Sequence, residues 1–142
     1  MARRFKSPPG TWVEREMFES NAFISLRGFA PQLLILILGK RQFITHKNKT
    51  GKEKRVCTNC DSLNFTYVEA KKYKITIPRL KRAFNELLTK GFIRIVHQGG
   101  ACRQDKSIYQ LSNDWVLWQP GTTFSNRNNS DVKRGFQKHA KN

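Results

Sequence analysis

The stretch from Ile75 to Ile95, ITIPRLKRAFNELLTKGFIRI, constrains this chain more than any other, because it joins two periodicities at a single residue. Up to Lys90 the pattern is helical: at about 3.6 residues per turn Ile77, Leu80, Phe84, Leu87 and Leu88 fall on one face. Arg82 points the opposite way, flanked by Arg79, Asn85, Glu86 and Thr89. Thr76 is read as the cap, and Pro78 suits the first turn, where a missing N–H removes a donor that has no helical partner anyway. Gly91 supplies a left-handed stop. Beyond it the period falls to two, so Phe92 to Val96 reads as a strand ending before His97-Gln98-Gly99-Gly100, with SIYQLS from Ser107 as its antiparallel partner. A helix with a mainly basic outer face thus runs into a hairpin.

The preceding segments supply cover for its apolar face. Leu33 to Leu38, LLILIL, is the longest apolar run and falls far short of the roughly 20 residues of a membrane span. It reads as a buried helix over about Ala30 to Arg41, with Pro31 in its first turn and Lys40 and Arg41 at the negative end of its dipole. Thr66 is followed three residues later by Glu69, a capping box that predicts a helix over about Tyr67 to Tyr73. Leu63 and Phe65, just before it, alternate as in a short strand. From Lys40 to Arg55 seven basic residues face the single Glu53, and this block, with Gly51 as its turn residue, reads as a solvated loop. Between Trp12 and Phe29 apolar residues are scattered among Glu14, Glu16 and Glu19, as in an irregular segment or short helix that docks on the domain.

The 142 residues and their 38% hydrophobic content suit one domain with tails: a basic N-terminal arm over 1–20, a domain over 21–118, and a basic, disordered tail over 119–142. The 27 Lys and Arg against 10 Asp and Glu give a net charge of +17, which asks for a polyanionic partner, nucleic acid being the commonest. No apolar segment follows the basic N-terminus as in a secretory signal, and three cysteines, an odd number, suit a reducing compartment where thiols need not pair. A cytoplasmic location, with neither membrane nor small-molecule substrate, is expected.

The order helix, short strand, helix, turn, helix, strand, loop, strand is α+β and resembles the winged helix-turn-helix, a three-helix core with a small antiparallel β-hairpin wing. The likeness spans about Pro31 to Ser112. Its closest part, LKRAFNELLTKGFIRIVHQGG followed by SIYQLSNDW, is similar to the end of winged-helix replication and regulatory proteins of phages, plasmids and bacteria. That resemblance implies binding of double-stranded DNA without catalysis, as a transcriptional regulator or a replication-initiation accessory.

Arginine can donate two hydrogen bonds to guanine and asparagine can pair with adenine in the major groove, so Arg79, Arg82 and Asn85 are the candidate base readers. Tyr67, Lys71, Lys72 and Lys74, with Thr76 and Lys81, are candidates for phosphate contacts, which fix position without reading sequence. The wing offers Gln98, Gly99, Gly100, Arg103, Gln104 and Lys106: glycines for close backbone approach, cations for phosphates or the minor groove. Against this stands the commoner meaning of basic residues opposite an apolar face, a solvated surface. What favours contact is that helix, wing, loop and both tails are basic together. A winged-helix assembly module that binds protein or RNA without sequence-specific DNA readout is the alternative.

Cys57 and Cys60 form a C-x2-C that could join His97 and Cys102 around zinc, which takes four thiolate or imidazole ligands. The His-x4-Cys spacing of the second pair is unusual, so no metal or other cofactor is expected. Three histidines, few carboxylates and no phosphate-cradling glycine loop before a helix argue against an enzyme. Phe84, Phe92 and Tyr109 sit at core-facing spacings, whereas Trp115 and Trp118 close the core or form a contact in a homodimer.

Overall fold

The helix expected after Thr76 forms over Ile77–Thr89 (α5) in the computed structural model, which describes residues 9–100 and 105–124. Leu80, Ala83, Phe84, Leu87 and Leu88 are buried along it. Ile77, at the first position, is 47% exposed, so the apolar stripe begins one turn later than expected. Thr76 occupies the cap position but its hydroxyl makes no capping bond. Pro78 explains part of this, since a cap side chain bonds the second or third helical N–H and proline has none. At the other end Gly91 turns left-handed (φ 85°), and the N–H groups of Phe92 and Gly91 return to the carbonyls of Leu87 and Leu88, the bonding of a Schellman cap. A β-carbon at Gly91 would also lie 2.7 Å from Asp114 Cβ, so only glycine fits here.

Against α5 packs Ala30–Leu38 (α3), whose Leu33, Leu34 and Ile37 are at most 1% exposed. Each such side chain contributes about 1.5–3 kcal/mol by leaving water. The helix ends at Leu38 rather than Arg41, and the N–H groups of Lys40 and Arg41 reach the carbonyls of Ile37 and Leu38 in tighter turns. Arg41 still caps the end through Nε to the Leu38 carbonyl (2.9 Å), while Lys40 leaves the helix to pair with Glu69. The segment ahead of α3 forms two single turns, Arg15–Phe18 (α1) and Asn21–Ile24 (α2), that bring Met17 and Ala22 into the core.

The basic block after α3 is not a loop. Phe43–Lys47 (β1) and Glu53–Cys57 (β2) pair antiparallel in register from Phe43 opposite Cys57 to Lys47 opposite Glu53. Phe43, Ile44, Thr45 and Val56 are strand-favouring residues that the dense charge concealed. The solvation expected there holds, because every residue of the two strands except Cys57 is exposed.

Tyr67–Lys72 (α4) carries the expected capping box, with Thr66 Oγ1 accepting from the Glu69 N–H and the Glu69 carboxylate accepting from the Thr66 N–H. Ile93–His97 (β3) pairs with Ile108–Leu111 (β4), and Leu63 joins the edge through reciprocal backbone bonds with Tyr109. Phe92, Phe84 and Tyr109 are buried, and Trp115 stacks over Phe92 with centroids 6.1 Å apart. Burial pushes the Tyr109 phenol up to about 12, with the Ser107 hydroxyl acting the other way. Among the described residues the architecture is α+β, with five α-helices and two antiparallel two-stranded sheets, and no helix is long and apolar enough to cross a membrane.

Candidate nucleic-acid interface

Burying one side of α5 leaves Arg79, Lys81, Arg82 and Asn85 on the other, all exposed. Arg79, Arg82 and Asn85 line one cleft of about 540 Å³ whose far wall is the Arg27–Phe29 turn entering α3. Arg27 therefore joins the candidate readers. It lies 52 positions before Arg79 in the chain, and only the packing of α3 on α5 brings the two together. Glu86 also lines the cleft, but its carboxylate is held by Lys90 Nζ at 2.7 Å, which itself donates to the Ser25 carbonyl. That carboxylate is thus already neutralised, and the cleft keeps a cationic rim of Arg27, Arg79, Lys81 and Arg82.

α4 is joined to α5 by the four residues Tyr73, Lys74, Ile75 and Thr76. The N–H groups of Tyr73 and Ile75 both return to the Ala70 carbonyl and that of Lys74 to Lys71, with Lys74 itself left-handed at φ 58°. Tyr67, Lys71, Lys72, Lys74 and Thr76 are all exposed along this helix and turn. Tyr67 and Lys71 lie one turn apart and so share a face, whereas Ala70 carries the helix's buried side. Glu69, one residue before it, is turned to the protein. Burial would raise its carboxyl, but hydrogen bonds from Lys40 and the Thr66 N–H, with the Lys40 charge, hold it below its ordinary value of 4.5. The charge of Lys106, two residues ahead of β4, adds to this effect.

The β3–β4 hairpin expected to form the wing is closed at the base of its loop. The Gly100 N–H donates to the Asp105 carbonyl (3.1 Å), the Gly99 N–H to Ser107 Oγ (2.9 Å), and His97 Nε2 lies 2.5 Å from an Asp105 carboxylate oxygen. A β-carbon at Gly99 would sit 2.5 Å from the Asp105 carbonyl oxygen and the Ser107 nitrogen. The close approach that this buried glycine permits is therefore to the hairpin's own backbone. Gln98 is half-buried, Lys106 is exposed, and Gly100 turns with φ 105°. Arg103, Gln104 and Cys102 lie outside the described residues, as do residues 1–8 of the expected N-terminal arm and residues 125–142 of the expected C-terminal tail.

No family model, no curated protein and no solved structure matches the chain.

The C-x2-C departs from expectation. Cys57 and Cys60 are joined as a disulfide, their Cα atoms 5.8 Å apart across the turn after β2, a separation within the range that a disulfide spans. The turn brings the two thiols together, and they bond each other instead of remaining free. His97 is engaged with Asp105, and no three His, Cys, Asp or Glu residues converge as a metal set among the described residues.

Proposed function

We propose that this chain is a winged-helix protein that binds double-stranded DNA, with α5 as the reading helix, α4 and its turn on the phosphate backbone, and the β3–β4 hairpin as the wing. The observation that carries the reading is the cleft on the exposed face of α5, where Arg27, Arg79, Arg82 and Asn85 converge while the neighbouring carboxylate is engaged by Lys90. Guanidinium groups suit this task because their planar donors match guanine edges and phosphate oxygens bidentately. Lys71, Lys72 and Lys74 lie on the helix and turn immediately ahead of α5, where a helix-turn-helix meets the backbone. Fold likeness alone would be a weak warrant, since one fold serves many functions. The resemblance in sequence narrows the role to transcriptional regulation or replication initiation of phage, plasmid or bacterial type.

The test is duplex affinity against salt. If the chain neutralises six or more phosphates, affinity should fall by roughly a thousandfold or more between about 50 and 200 mM monovalent salt. Binding that barely responds to salt, or tighter binding to RNA or to a protein partner than to duplex DNA, would point to the assembly-module alternative.

A further inference from the structure

The β1–β2 hairpin takes no part in the reading above, yet it is the most solvated regular element of the described chain. Both of its faces are exposed, so it has no core to serve. A two-stranded ribbon of this kind is marginal on its own, and two devices hold this one in shape. At the base, the Thr58 N–H donates to the Gln42 carbonyl, Asn59 Oδ1 accepts from the Gln42 N–H, and Asn59 Nδ2 donates to the Lys40 carbonyl, all within 2.9 Å, while the Cys57–Cys60 disulfide closes the turn beyond. At the tip, Asn48 Oδ1 accepts from the Thr50 and Lys52 N–H groups and the Thr50 hydroxyl, and Gly51 takes φ 79°. The result is an arm of five-residue strands, about 17 Å long at roughly 3.4 Å per residue.

Its charge is basic, with Glu53 as the single acid. Lys47 is paired with Glu53 at 3.5 Å, but Lys49, Lys52 and Lys54 are exposed with no carboxylate within ion-pair distance among the described residues. Nearer the base, the guanidinium groups of Arg41 and Arg55 both lie over the Phe43 ring, at 5.3 and 4.8 Å. Like charges gathered on one ring gain from an anion placed between or beside them. The arm is rooted beside α4, because Lys40, two residues before Gln42, is bound to Glu69 and to the Asn64 carbonyl. A cationic ribbon with a rigid tip, set next to a helix already assigned to phosphates, is shaped for a polyanion.

We propose that the β1–β2 hairpin is a second DNA-binding arm that lays Lys49, Lys52 and Lys54 along the duplex phosphates on one flank of the α5 site. The proposal rests on the duplex-binding reading. It assigns phosphates and not bases, because lysine ammonium groups act as point charges and lack the planar fork that reads base edges. A tip already ordered by Asn48 loses little freedom on docking.

The test uses the full chain, a mixed-sequence duplex of about 40 base pairs, roughly four helical turns, and the triple variant Lys49→Gln, Lys52→Gln, Lys54→Gln. These side chains are exposed, so the thermal midpoint should not move. Each lost phosphate contact should lower the slope of log affinity against log salt by about 0.9, so the variant should lose between two and three. Its hydroxyl-radical footprint should lose protection on one flank and keep the centre, whereas Arg82→Ala should disturb the centre. An unchanged slope and footprint in the triple variant, with wild-type binding intact, overturns the arm and leaves the α5 reading standing. A wild-type chain that ignores duplex DNA but binds phosphatidylcholine–phosphatidylserine vesicles overturns both.

Discussion

Lys74 shows how the turn before α5 is made. Its φ of 58° is a left-handed conformation that an L side chain adopts at a penalty of about 1–2 kcal/mol, in the place where glycine is commonly found. A lysine kept there puts a cation at the corner of the proposed backbone contact. Lys74→Gly should therefore raise stability by about 0.5–1 kcal/mol in chemical denaturation while lowering the salt slope of duplex binding by about one. A variant that is more stable with its salt slope intact would remove Lys74 from the interface. At this scale the sequence is readable where a residue's role is local, as with Gly91, whose stop follows from the change of period around it. Arg27 was not readable, because its place beside Arg79 is a consequence of tertiary packing across 52 positions. Cys57 and Cys60 were readable only as a pair, since two residues between cysteines suit a metal knuckle and a closed turn alike.

The helices were legible at the scale of elements and the first hairpin was not. α5 announces itself through an apolar stripe against a charged face, and α4 through its capping box. β1 and β2 carry no such pattern, because with both faces in water nothing forces one set of side chains to be apolar, and their strand-favouring residues sit among dense charge. The same capping box makes a pH-sensitive joint, for Glu69 serves both the start of α4 and the Lys40 that roots the hairpin. A carboxyl held below its ordinary value stabilises the fold above that value, and the contribution disappears as pH falls through the depressed one. Denaturation midpoints taken from about pH 6 down to pH 3 should thus fall more steeply in the wild type than in Lys40→Gln, in which the carboxyl has lost its main partner. Parallel curves would mean that Glu69 and Lys40 are coupled too weakly to matter.

Over the whole molecule, a net charge of +17 is a tax on compactness that a partner relieves. Some of the cations already serve the fold: Lys40 binds Glu69, Lys90 binds Glu86, and Arg94 forms a two-oxygen pair with Asp114. Those left exposed on α4, its turn and the outer face of α5 are the ones assigned to DNA. The proposed reading of base pairs by this outer face is tested most directly by selection of bound sequences from random duplex DNA, run with the wild type and with Arg82→Ala. The expected result is an enriched motif for the wild type and, for the variant, loss of preference at one base pair worth about 1–3 kcal/mol of discrimination, with other positions retained. The same motif recovered at the same strength by both proteins, or no enrichment by either, would contradict it.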